Sequence, residues 1–328
     1  MNDKDRDRSG DGAGPVAQKE IDNDNAGEVR PKRFAAFLFA FLVAAPFLSA
    51  ARSAVGDGGR LRGLSLTVDA GAFRASSSHA NFYNGQPSNA NTLERILYSE
   101  TYGNNIWNNL TNQNLIGSSV ANYRQISVAE YGDMYYRIAF QLGLGFRYDF
   151  FGSNFGWMAR FDYAKLHASG MVLLNSGHSV AYLTNQDAYV NCPVAGTEER
   201  IYIDLGLLHT FRLANGLDLE VALGGNVNNT KVQRSDIEIG GIVYSILDIW
   251  GGQSPSSFVG SYPYVNQGGI GFGAFASVSI GFTLPAGTAM SVGYTLHYNK
   301  VNLQGYDTFA FHHALGINVA LNNFKFFD

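Results

Sequence analysis

Cysteine occurs once in these 328 residues, at Cys192, so no intrachain disulfide can form and no cysteine-built metal cluster is available. The plain expectation for Cys192 is an ordinary loop thiol. Charge is also scarce, at 15% of residues, and there is no basic excess. The first 51 residues carry 7 basic and 8 acidic side chains, which leaves 16 against 19, or −3, for the rest. Nucleic acid is therefore excluded as a partner, because phosphate neutralisation needs a basic surface. Proline is rare, at 8, and mean hydropathy is close to zero, at −0.07. No glycine loop precedes a helix in the manner of a phosphate cradle. What is abundant is glycine, at 38, and aromatic residues, with 18 Tyr and 23 Phe. A transmembrane barrel uses both, with apolar side chains toward lipid and small ones in a narrow lumen.

From Met134 to Phe150 the chain alternates. Tyr136, Ile138, Phe140, Leu142, Leu144, Phe146, Tyr148 and Phe150 share one parity, and Arg137, Ala139, Gln141, Gly143, Gly145, Arg147 and Asp149 share the other. Period two is a strand pattern. A strand of roughly ten or more residues with an aromatic-capped apolar face is what a tilted bilayer-crossing strand requires. The apolar parity is expected to face lipid and the other parity a lumen.

Residues 1–33 have the composition of a disordered leader ending in a basic cluster. The apolar run from Phe34 to Leu48 and the small residues Ser49, Ala50 and Ala51 read as a secretory signal peptide cut after Ala51. No methionine lies between Met1 and Met134, and a start at Val29 would give a compact basic region before the apolar run. Residues 52–63 are then a short periplasmic segment, and 64–328 the barrel. Alternating segments follow at Leu64–Phe73, Met134–Phe150, Trp157–Lys165, Ile201–Leu213, Leu217–Val227, Ile270–Leu284, Met290–Tyr298 and Phe309–Leu321. Eight strands result. The connections alternate between short glycine-bearing turns and loops of about 60, 35, 40 and 10 residues. That is the expected rhythm of an antiparallel transmembrane β-barrel with long extracellular loops.

Within the first loop, Leu93, Ile96 and Leu97, then Ile106, Trp107 and Leu110, fall at helical spacing and predict two short amphipathic helices. In the third, Ile237 to Tyr244 reads as a hairpin about Gly240 and Gly241. Met171–Leu174 with Val180–Leu183 suggests another in the second loop. If one of these pairs joined the sheet, the count would be ten.

From Leu64 onward the pattern resembles the small outer-membrane β-barrels of the OmpA and OmpX type. The segments NFYNGQPSNANTLERIL (Asn81 to Leu97) and GGNVNNTKV (Gly224 to Val232) look like barrel proteins of Bacteroidota, and the closing Phe324, Lys325, Phe326, Phe327, Asp328 is similar to a barrel-insertion signal, with Asp last in place of Phe. The resemblance implies an outer-membrane location and outer-membrane lipid as partner, but no catalytic motif and no cofactor. Barrels of this shape are structural, adhesive, channel-like or lipid-modifying, so fold cannot choose among them.

The candidate chemistry is a polar lumen. Arg137, Arg147, Asp149, Arg160, Asp162, Asp204, Arg212, Asp218, Glu220, His297 and His312 all fall on the inward parity. An eight-stranded interior is just wide enough to be filled by side chains, and buried charges must pair, so a structural network is expected ahead of an ion path. Arg212 should face Asp218 across the Asn215 turn, and His297 should face His312. Two imidazoles without a third ligand make a weak metal site. Ser291 shares the parity of His297 but lies about 20 Å along the strand, too far for acyl-transfer chemistry. The expectation is a non-enzymatic surface protein whose loops bind an extracellular ligand or protein, or shield. A narrow channel is the alternative, and a lipid-modifying enzyme the third.

Overall fold

Leu66, near the start of the first strand, pairs with Leu321 at the end of the last, and that contact closes the sheet on itself. The computed structural model describes residues 63–150, 153–178, 188–214, 216–248, 267–283 and 289–321. The leader, the signal stretch, Val180–Leu183 and the final aromatic residues lie outside the described residues. The strands are β1 (Gly63–Arg74), β2 (Val128–Tyr131), β3 (Tyr135–Tyr136), β4 (Ala139–Asp149), β5 (Phe155–Asn175), β6 (Tyr189–Ala214), β7 (Leu217–Ile239), β8 (Ile242–Ser245), β9 (Ile270–Thr283), β10 (Ala289–Lys300) and β11 (Phe309–Leu321). Eight of them, β1-β4-β5-β6-β7-β9-β10-β11, pair antiparallel in a ring.

The remaining three lie off the ring. β2 and β3 pair only with upper β5, and β8 only with β7, so the ring holds eight strands and the ten-stranded alternative is corrected. The third-loop hairpin does form, because Gly240 and Gly241 take φ of +56° and +75°, the two left-handed positions of a tight hairpin turn. Met171–Leu174 belongs to β5 itself and pairs with Val190–Pro193 of β6.

The parity expected for the belt holds in the ring. Phe140, Leu142, Leu144, Phe146, Leu205, Leu207, Phe272, Val278 and Ile317 are all exposed, while Gln141, Gly143 and Gly145 between them are buried. Tyr148, Phe150, Phe155, Trp157 and Phe211 gather at the turn end of the belt, and Tyr163, Tyr294, Tyr298, Phe309 and Phe311 toward the loop end. Such paired aromatic girdles suit the two interfaces of a bilayer.

Three strands run far beyond that belt. β5, β6 and β7 have 21, 26 and 23 residues, whereas the alternation predicted ends at Lys165, Ile201 and Val227. In the extension the sense of the alternation inverts. Leu166, Val172, Leu174, Val190, Val194, Val232 and Ile237 now face inward and are buried, while Lys165, His167, Asn191 and Lys231 face out. Cys192 lies on this inward face, buried on β6 rather than in a loop, and burial pushes its thiol up to about 12. Water outside and an apolar filling inside explain the inversion.

The filling is the first loop. It carries α1 (Ser77–Ala80), α2 (Glu94–Leu97) and α3 (Glu100–Asn112). The two helices expected from spacing are α2 and α3, and Ser99 caps α3 by accepting the Tyr102 N–H at 3.4 Å. Phe82, Tyr83, Leu93, Leu97, Ile106 and Leu110 are fully buried in one core with the inward faces of β5, β6 and β7. Among the described residues, no helix is long and apolar enough to cross a membrane.

Candidate functional site

Three ionic layers stack through the barrel, each built from alternate residues of neighbouring strands. At the turn end, Arg147 of β4 grips Asp149 with two bonds, Nε to Oδ2 at 2.9 Å and Nη2 to Oδ1 at 3.1 Å. Its Nη1 meets Glu220 of β7 directly across the lumen. Ser279 donates to the second Glu220 oxygen at 3.2 Å.

The middle layer centres on Asp204 of β6, which is fully buried. Arg160 Nη2 donates to its Oδ2 at 2.7 Å, His297 Nε2 lies 3.0 Å from the same oxygen, and Asn226 donates to Oδ1. Arg160 Nε is also 2.8 Å from Asp162 Oδ2, close as an ion pair but out of line for a hydrogen bond. Phe275, Leu208 and Ala222 fill the lumen beside this layer.

The upper layer lies where the inverted extension begins. Arg200 and Glu198 of β6 are both fully buried and pair Nε to Oε1 at 2.5 Å. Tyr83 of the first loop donates to the other Glu198 oxygen at 2.7 Å. Arg200 reaches the hydroxyls of Tyr136 at 3.2 Å and Tyr202 at 3.4 Å, and its guanidinium carbon sits 5.3 Å from the Tyr136 ring centroid. The Ser76 backbone N–H donates to His312 Nδ1 at 3.2 Å, and His79 is bonded to the Thr308 carbonyl at 2.9 Å. The rings of His79 and His312 stack at 5.3 Å. Tyr83 lies flat on Gly196, where any Cβ would overlap its ring. A loop side chain thus completes an ion pair that the barrel cannot satisfy alone.

The structure therefore brings together Arg147, Asp149 and Glu220, and separately Arg160, Asp162, Asp204 and His297, while His312 joins the upper layer. His297 does face His312 in register, and Asp204 supplies it with a carboxylate that spacing had not revealed. Arg212 stands opposite Asp218 as expected, but it is exposed and the two make no ion pair. Their place at the open turn end lets water solvate both, so neither belongs to the buried network.

Arg137 is a correction of another kind. From Tyr136 opposite Ala168 to Gln141 opposite Ala164, five steps on β3–β4 meet four on β5. The extra residue is a β-bulge, which reverses the parity above it. Arg137 is exposed on the outer surface, and Tyr136 takes the inward place.

Below Arg160 the lumen keeps a cavity of about 110 Å³ lined by Thr67, Asp69, Gln141, Arg160 and Asp162. A second, of about 60 Å³, lies past the Arg147–Glu220 bridge. Both stop short of the upper layer. Among the described residues no cluster of three or more metal-ligating side chains occurs.

No family model and no curated protein matches the chain. Solved structures do. Neisserial surface protein A is 8% identical, with a TM-score of 0.36, over 79% of this chain and 96% of its own. The outer-membrane protein OprG of Pseudomonas aeruginosa is 9% identical, with 0.36, over 80% and 97%. Ail, the attachment invasion locus protein of Yersinia pestis in complex with a heparin analogue, is 11% identical, with 0.31, over 79% and 99%. These are small outer-membrane barrels. The superpositions are loose, and no residue's role is carried across from them.

Proposed function

We propose that this chain is an exported, integral outer-membrane barrel with a closed lumen, acting through the platform that its loops build above the membrane. Outer-membrane lipid is its partner along the belt, and an extracellular ligand or protein its partner on the platform. The observation that carries the reading is the upper layer. Arg200 and Glu198 are fully buried and their shell is completed by Tyr83 of the docked first loop, so opening a path for ions would strand a buried pair. The loop is also held by a continuous apolar core. Among the described residues, no nucleophile, base and acid stand within hydrogen-bond reach of one another at the rim, which favours a non-enzymatic role over lipid modification.

Conductance tests the reading. The purified protein in a planar bilayer should show no steady single-channel current. Reproducible ion-selective currents that vanish on Arg160→Ala would overturn the closed lumen in favour of a channel.

A further inference from the structure

The bulge that expels Arg137 from the lumen sets it beside a second unpaired guanidinium. Phe73 of β1 is opposite Ala139 of β4, so Arg74, the next residue up, comes level with Ile138 and one step from Arg137. On its other side Arg74 faces His313 of β11 directly. The Arg137 backbone N–H bonds to His167 of β5 at 2.9 Å. Four neighbouring strands, β11-β1-β4-β5, thus present His313, Arg74, Arg137 and His167 on the outer surface in a row that follows the hydrogen-bonding direction, about three strand spacings or roughly 15 Å long. All four are exposed, and among the described residues neither arginine makes an ion pair.

Among the described residues the nearby carboxylates make no ion pair with the row. Asp133 lies above β3 and is bonded to Asn81 at 3.5 Å, and Glu199 of β6 is bonded to Tyr163 at 3.0 Å. Directly below the arginines the surface is apolar. Ile138 at 72% and Phe140 at 66% are the most exposed large hydrophobic residues described, with Leu315 and Tyr294 beside them. The Tyr294 hydroxyl lies 2.6 Å from His313 Nδ1, which fixes that imidazole at the boundary. Around the far side of the ring, toward the loop end, stand Asn229 and Lys231 on β7, while Lys300 on β10 is already paired with Asp307 at 2.8 Å.

We propose that this row binds the phosphate of an outer-leaflet lipid, with Arg74 and Arg137 as its donors and the Ile138–Phe140 shelf as the seat of an acyl chain. Two guanidiniums can offer paired donors to phosphate oxygens, which lysine cannot do with the same geometry. A free polyanion would use the arginines but leave the shelf bare, whereas a phosphate-bearing lipid fills both. The bulge then has a functional reason, since bulges re-aim side chains. The inference rests on the membrane-spanning reading, which carbonate extraction tests separately: a wild-type protein stripped from membranes by alkaline wash sinks that reading whatever lipid it binds.

Native mass spectrometry of the full chain in detergent supplies the test, titrating phosphatidic acid against diacylglycerol. Phosphatidic acid should bind and diacylglycerol should not. Arg74→Gln and Arg137→Gln should each weaken binding about 5-fold, and the double variant about 30-fold. Lys231→Gln should leave it unchanged, and millimolar glycerol 3-phosphate should not displace the lipid. Both arginines are exposed, so the variants should keep the wild-type circular dichroism. Unchanged binding by the double variant, an equal loss in Lys231→Gln, or displacement by glycerol 3-phosphate would overturn the proposal.

Discussion

Along β5 one strand reads in opposite senses above and below a single level. Below it Trp157, Phe161 and Tyr163 point out and Arg160 and Asp162 point in; above it Lys165 and His167 point out and Leu166, Val172 and Leu174 point in. The backbone does not change, so its surroundings decide the sense: lipid outside and a polar lumen below, water outside and a docked loop above. Glu198, Arg200 and Tyr202 sit at the crossing, where polar and apolar fillings meet. The buried ion pair there spans the join, its charges held by each other and by the hydroxyls of Tyr83, Tyr136 and Tyr202, so that losing one partner would strand the other.

Breaking the lower half should cost most. Arg160→Ala leaves Asp204 and Asp162 buried with fewer partners, and we expect a loss on the order of 3 to 5 kcal/mol in urea unfolding from bilayers. A loss within 0.5 kcal/mol would mean that water already solvates this layer. In the upper half the counterpart is Leu97→Ala, which removes apolar contacts from the fully buried face of α2. It should cost roughly 2 to 5 kcal/mol of docking free energy. Hydrogen exchange should show α2 and α3 losing protection while the ring strands keep theirs. Loss of protection throughout would show that loop and barrel unfold as one.

An arginine introduced on the outward face of each half sharpens the contrast. Leu142→Arg places a charge on the lipid face and should cost roughly 2 to 4 kcal/mol, whereas Ala195→Arg, outward on upper β6, should change stability by less than about 0.5 kcal/mol. Equal effects would move the membrane level off the inversion.

The same inversion explains what the residues disclosed in advance. Strand number, ring order and lipid-facing parity were legible, because a barrel face must stay apolar at every second position. Strand length was not, since the alternation continues past Lys165 and Ile201 with its sense reversed and so reads as the end of a strand. The pair Glu198–Arg200 lay just beyond that apparent end, and the pattern Glu-x-Arg-x-Tyr at 198–202 was its available signal. Arg137 was misplaced because one extra residue shifts parity without leaving a mark among the aromatics Tyr135, Tyr136 and Phe140. Tyr83 and His79 reach the site from the first loop, and only tertiary docking brings them there.

Among the changes expected to shift stability, the smallest concerns how that loop is held in acid. His79 of α1 is fully buried against His312, and burial, followed by the nearby Arg200 charge, lowers its pKa from 6.5 to about 4. The neutral ring is therefore the docked form. In an undocked loop the imidazole titrates near its ordinary value, so between pH 6.5 and 4 the undocked state binds more protons. Docking is then at full strength above pH 6.5 and weakens as pH falls toward 4. At pH 5 the loss should be about 2 kcal/mol, an upper figure for a ring that water reaches during opening. Limited proteolysis of the first loop should accelerate between pH 7 and pH 5 in the wild type. His79→Gln removes this imidazole and should be cut faster at pH 7 with a shallower profile, the remaining response coming from His312 stacked at the same place. A wild-type rate that does not change with pH would show that His79 stays neutral in both states and plays no part in the response.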